Sequence, residues 1–427
     1  MRKAHLILLS LIVGSCSCIN AQSIKYSDFF TDERLRIDLV TAGNADKQEI
    51  YLEGLRKEFA WSGPKTDICD PFEYGEYYLK LFCEDKQIYS RGFGTLFQEW
   101  RTTAEAKNIS RAYTLSLVTP FPKREVKAVI YERIYETGKF RELFSILIDP
   151  NDPAINREKE NNFEVGTIHH SGDPASKVDL LFIAEGYTAA EMEKFRQDAK
   201  RFKDHLFSYE PYKSRKEDFN IRIVESISEN SGPDIPHHGI WSKTAISASF
   251  YTFGIDRYMT APDQKKIASA ASNAHYDALY VIVNTDKYGG GGIYNFYGLS
   301  MADGALQAEV FVHEFGHSFA GLGDEYYSSE VAYEDFYNLK TEPWEPNITT
   351  MVNFDSKWKS MILSGISTPT PATPENNTTV GVYEGGGYMT KGIYRPFIDC
   401  RMHSNKAPAF CPVCQAAINS MIDYYAK

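Results

Sequence analysis

Two histidines one helical turn apart, set inside an apolar run, constrain this chain more than any other feature. Residues 308–326 read AEVFVHEFGHSFAGLGDEY, with His313 and His317 four positions apart. Side chains at that spacing lie one above the other on a helix face. Both imidazoles can therefore reach one ion at the roughly 2.0–2.1 Å that zinc prefers. Glu314 points beside that face, where it can take a proton from a water activated by the ion. Val310, Phe311, Val312, Phe315 and Phe319 predict a buried helix side around them. Ionisable groups in such surroundings are costly unless something coordinates them. The bland alternative is a pair of core histidines satisfied by hydrogen bonds.

Gly321 is a natural terminator for this helix, because glycine takes the left-handed conformation at no steric cost. A turn there swings Asp324 back toward the ion as third ligand and leaves a fourth position for water or substrate. Glu325 is the rival ligand, and the spacing leaves the choice open. The arrangement resembles the extended zinc motif of metzincin-type peptidases, with the glycine and the acid each one residue later than in that motif. The string His-Glu-Phe-Gly-His followed by Gly-Leu-Gly-Asp-Glu-Tyr is similar to the signature of the bacterial IgA peptidase family of zinc metallopeptidases. Shorter matches are Glu185-Gly186-Tyr187, Phe219-Asn220 and Tyr394-Arg395-Pro396.

The resemblance implies a zincin-like metalloendopeptidase with one catalytic Zn2+, held by His313, His317 and an acid at this place, and Glu314 as general base. It also implies a methionine-containing turn beneath the metal, for which Met402 is the first choice and Met389 the second. Tyr388, Tyr394 and His403 are candidate stabilisers of the oxyanion. The family name implies cleavage of immunoglobulin A, but hinge specificity resides in loops and accessory domains. The expected partner is therefore a protein or glycoprotein substrate of unspecified identity. Two other classes compete: a catalytically silent zincin-like binding protein, and a surface adhesin that works through its N-terminal domain.

The net charge of -11 over 427 residues argues against nucleic acid, since no basic patch offsets repulsion from phosphates. Residues 1–22 read as an export signal: Arg2 and Lys3 precede a short apolar core, too short to span a bilayer. Cleavage before Cys16 would leave a lipid anchor, the sole expected membrane contact; cleavage after Ala21 would release the protein. Periplasm, cell surface or medium is the expected location. Of the remaining cysteines, Cys69 is expected to bridge Cys83, and Cys400 to bridge Cys411 or Cys414. The Cys411-x-x-Cys414 pair also invites a second zinc site or a redox pair, both ranked below the disulfide.

Residues 23–160 read as an all-β sandwich of short strands in which Tyr and Phe alternate with polar residues. Nothing catalytic is visible there, and a packing or positioning role is favoured. The turn-rich stretch 149–153 and the polar stretch 156–162 mark a linker. In 161–427, the apolar run 178–184 predicts a buried strand. A capping box from Thr188 to Glu191 starts a long helix, with strands at 219–227 and 277–283. Strand, long helix, strand, strand, metal helix is the order of a zincin catalytic domain, so the fold class is α+β. The four glycines 289–292 read as an edge segment where Gly291 and Gly292 could contact an extended substrate, or as a mobile loop. The Pro/Thr-rich stretch 367–379 reads as an exposed loop or the margin of a lid.

Overall fold

The computed structural model describes residues 24–327 and 337–427. The export signal, with Cys16 and both cleavage readings, lies outside the described residues. No helix among the described residues is long and apolar enough to cross a membrane.

The chain is α+β. A one-turn helix α1 (Tyr26–Phe29) leads into β1 (Phe30–Gly43) and β2 (Gln48–Glu58). The hairpin β3 (Tyr77–Cys83) and β4 (Lys86–Phe93) follows, then helix α2 (Leu96–Arg101), β5 (Arg111–Pro122), β6 (Val126–Arg133) and β7 (Phe140–Ile148). They form two antiparallel sheets, ordered β2-β1-β5 and β4-β3-β6-β7. Strand alternation sends one set of side chains inward: Ile37 pairs with Leu117 and Leu39 with Leu115 in the first sheet. In the second, Leu79 pairs with Ile130 and Leu81 with Ala128. All eight are buried in one cluster.

The rest of the chain builds a mixed sheet from β8 (Glu164–His169), β9 (Val178–Glu185), β10 (Phe219–Glu225), β11 (Ala278–Val283), β12 (Gly290–Ile293) and β13 (Tyr297–Met301). Its order is β12-β13-β11-β9-β10-β8, with a parallel centre and an antiparallel strand at each edge. Helices α3 (Met192–Leu206), α4 (Gln264–Ala271), α5 (Gln307–Ala320) and α6 (Pro412–Tyr425) complete the unit, with a hairpin β14 (Tyr383–Gly386) and β15 (Met389–Arg395). Every residue of β9 is buried because both faces of the sheet are covered. Leu180, Phe182 and Ala184 pack with α3, α5 and α6, while Leu181 and Ile183 join the core of the two N-terminal sheets. The capping box at Thr188 and Glu191 is present and opens a short 3-10 turn before α3.

The polar stretch 156–162 is largely exposed but tied down at two places: Glu160 accepts from buried Arg36 at 2.6 Å, and Asn161 Nδ2 donates to Ser272 Oγ at 3.2 Å. The expected disulfides are where the structure differs. The bridge from Cys69 to Cys83 is not made, and all five described cysteines are free. Cys69 sits against Ser90, whereas Cys83 pairs with Lys86 at the hairpin turn.

The outer face of β1 carries charge into the junction between the two units. Arg34 and Arg36 are fully buried, and Glu58 bonds both, at 2.8 and 2.9 Å. Arg34 also donates to the carbonyls of Ala271, Ser272 and Ala274 at the end of α4, where the helix dipole favours a cation. Glu58→Ala would leave two buried guanidiniums short of their shared partner. It should lower unfolding free energy by about 3–5 kcal/mol, read from urea-induced unfolding.

Candidate metal centre and cleft

Helix α5 is fixed from below by aromatic packing. Phe311 lies 4.7 Å from Phe202 and 4.8 Å from Tyr280, centroid to centroid, and Phe315 stacks on Phe319 at 5.0 Å. Its upper face carries His313, Glu314 and His317. The helix stops at Gly321, whose φ is 65°. Its amide bonds the carbonyl of His317, and that of Leu322 bonds Gly316, closing the turn.

Beyond the turn the chain runs extended, and successive side chains face opposite ways. The backbone is pinned on both sides: the Glu325 amide donates to Met402 O at 2.8 Å, and that of Gly387 to Asp324 O at 2.8 Å. Asp324 thereby faces the histidines, with Oδ1 3.1 Å from His313 Nε2 and 3.2 Å from His317 Nε2. The two Nε2 atoms are 3.1 Å apart. Glu325 turns to the far side, among Cys400, Cys411 and Cys414. Of the two rival acids, Asp324 is the one that converges with the imidazoles.

The tautomers follow from the hydrogen bonds. His313 Nδ1–H donates to Arg401 O at 3.0 Å, and His317 Nδ1–H to Leu322 O at 2.5 Å. A carbonyl can only accept, so each Nδ1 carries the proton and each Nε2 is left as a lone-pair donor toward the shared point. Buried Asp324 Oδ1 has no hydrogen-bond donor among the described residues. Tyr388 Oη donates to its other oxygen, Oδ2. Three donor atoms of the right type, one of them otherwise orphaned, suit a zinc-sized cation.

Without an ion, these groups shift one another. Burial works against charge on His317, but Asp324 outweighs it and raises its pKa to about 9. Burial likewise opposes ionisation of Asp324, yet the two imidazoles hold it far below the usual carboxylate range. The Glu314 carboxyl is pushed up by burial, against the opposing pull of His313 and His317.

These residues open into a cavity of ≈ 280 Å³ that the N-terminal sheets help to wall. Glu76, Gly94, Thr95, Glu99 and Arg133 line it from that side. Sequence reasoning missed all five, because nothing local to them signals a site. It also missed Tyr326, which stacks near His313, and Arg257, which faces Tyr326, Tyr288 and Asp324. Glu76 is raised to about 7 by burial and by facing Glu345.

The glycine-rich segment is the edge strand β12, and Gly291 and Gly292 line the cavity. Its outer edge is partly taken, since Gly290 O accepts from Met259 N at 3.3 Å. Glycine is required there by close approach. A Cβ on Gly292 would stand 2.3 Å from Glu314 O, and one on Gly290 2.9 Å from Val310. Met402 is fully buried under α5, its Sδ 3.0 Å from where a Cβ on Gly316 would lie. Met389 starts β15 and is half-exposed. Tyr394 and His403 are not part of the cavity wall: Tyr394 pairs with Thr349 on β15, and His403 Nδ1 lies 3.1 Å from Asp399.

A family model described as IgA Peptidase M64 matches residues 167–379 and 372–422, and one described as Peptidase M64 N-terminus matches 25–145. The chain belongs to the IgA peptidase M64 family. The M64 matches span both units that wall the cavity, and family membership indicates a peptidase, whose substrates are proteins. No curated protein matches the chain.

Because α5 rests on β12 with no room for a side chain, Gly292→Ala should push the helix off its strand. The expected loss is about 1–3 kcal/mol, visible in thermal unfolding. Gly54→Ala, where an added Cβ meets nothing within 4 Å, should leave the midpoint nearly unchanged.

Proposed function

We propose that this M64 protein is a zinc-dependent endopeptidase whose ion is held by His313, His317 and Asp324. The observation that carries the reading is the meeting of two Nε2 lone pairs and an orphaned carboxylate oxygen at one point in the cavity wall. When bound there, zinc would polarise the scissile carbonyl and acidify a water. The other roles fall to the chain's own groups.

Glu314 stands beside the donor triad on the same helix, in surroundings that raise its proton affinity. A carboxylate so shifted is suited to accept a proton from the attacking water and pass it to the departing amine. Arg401 O and Leu322 O hold the imidazoles in the ligating tautomer. Tyr388 orients Asp324 through Oδ2 and leaves Oδ1 for the ion. The edge strand β12 and the wall formed by Glu99 and Arg133 on one side and Arg257 on the other would flank an extended peptide. The zincin-like arrangement of helix and sheet is part of this reading, as is Met402 in the turn beneath the helix. The natural substrate is read as a protein or glycoprotein outside the producing cytoplasm, reached by way of the signal in 1–22. Immunoglobulin A, the substrate in the family's name, is one candidate to assay.

Glu314→Gln should retain one equivalent of zinc here but lose peptidase turnover by about a hundredfold or more. A parental rate in that variant would rule out the proton role. His313→Ala should lose this ion, as read by metal analysis, and lose activity with it. The pH dependence of zinc affinity has a defined sign. His317 must be neutral to ligate, and its apo pKa is raised to about 9, so apparent affinity should climb with pH toward 9 and then level. Calorimetric titration of the apo protein in a pH series measures the slope; an affinity independent of pH would contradict it.

A further inference from the structure

A second cluster of donor atoms lies behind the cleft, in the solid core of the molecule. Cys400, Cys411, Cys414 and Glu325 are all buried, and one ligand atom from each falls within 4.8 Å of the others. We propose that these four residues form a separate structural zinc site of three thiolates and one carboxylate.

The distances favour an ion over a covalent bridge. Two sulfurs bound tetrahedrally at about 2.3 Å from zinc stand about 3.8 Å apart. Cys400 Sγ and Cys414 Sγ are 3.8 Å apart. Three sulfurs meet here, so a disulfide would consume two and leave one buried thiol and the unpaired Oε2 of Glu325 beside it. Glu325 is fully buried, and its Oε2 has no hydrogen-bond partner among the described residues, while Oε1 lies 3.0 Å from Cys414 Sγ. Such a carboxyl is costly unless coordinated.

The backbone is arranged for thiolates. Cys411 caps helix α6, and the Cys414 amide donates to its sulfur at 3.5 Å, placing that sulfur at the positive end of a 14-residue helix. The Cys411 amide donates to Cys400 Sγ at 3.1 Å. Behind the carboxylate, Asn347 Nδ2 donates to Glu325 Oε1 at 2.9 Å and to Gly323 O, and its Oδ1 accepts from the Gly323 amide. This is the outer support that ligating carboxylates ordinarily have. Thiolate-rich donor sets select zinc over the hard divalent cations. The ion would tie α6, the segment carrying Met402 and the segment carrying Asp324 and Glu325 to one point.

Metal analysis of the full chain and of a His313→Ala/His317→Ala double variant tests the site. Two zinc ions per chain are expected in the parent and one in the variant. If the histidines bind no metal, both proteins should hold one, which refutes the catalytic reading and leaves this site standing. Cobalt loaded into the double variant should show a thiolate-to-cobalt charge-transfer band in the near ultraviolet, and Cys414→Ser should weaken it. Should that substitution unfold the protein, metal analysis of the histidine double variant still reports the ion, and peptide mapping of the parent separates it from a covalent bridge. All three cysteines should resist alkylation while folded, and all three should label after denaturation with chelator and no reductant. Zinc absent from the histidine double variant, or two of the three cysteines found joined in the freshly isolated protein, would overturn the proposal.

Discussion

The close approach of α5 to the glycine strand β12 is the contact from which the remainder of the site takes its position. Gly290 and Gly292 let the helix backbone rest directly on the sheet edge, with Glu314 O where a side chain would otherwise be. The aromatic ladder beneath, from Phe311 through Phe315 to Phe319, removes the helix's remaining freedom. Close-packed interiors admit few alternative arrangements. With the helix so held, His313, Glu314 and His317 have little choice of direction, and the turn at Gly321 delivers Asp324 to the same place.

A second theme is that the cleft belongs to neither unit alone. The cluster around Leu35, Leu39 and Leu81 continues without a break into Leu181, Val281 and Leu299 of the mixed sheet. Arg34 crosses the same boundary to the end of α4. The N-terminal sheets therefore act as a wall of the cavity through Glu76, Glu99 and Arg133.

Much of the scaffold was legible in the sequence because its signals are local. The spacing of His313 and His317, the apolar run of β9, the capping box at Thr188 and the left-handed Gly321 each depend on a few neighbouring residues. The choice between Asp324 and Glu325 was not legible, since it depends on how the extended segment registers against Met402 and Gly387. Arg257, Tyr326 and Glu76 were invisible for a similar reason: they reach the cleft through contacts between distant segments. The run of glycines alone suggests an edge segment for a substrate or a mobile loop, and the edge-strand geometry adds a packing reason that requires knowing what lies above them. Cysteine spacing favours disulfide partners, because spacing alone cannot show three sulfurs and a carboxyl sharing one pocket.

The back-to-back carboxylates at 324 and 325 make this short segment intolerant of length change. Loss of one residue between Gly321 and Asp324 would bring Glu325 to the place of Asp324 and Tyr326 to that of Glu325, and gain of one would bring Gly323 and Asp324 to those two places. Relatives should therefore hold this interval at fixed length, while the exposed turn near 367–379, which no such pairing governs, is free to grow or shrink.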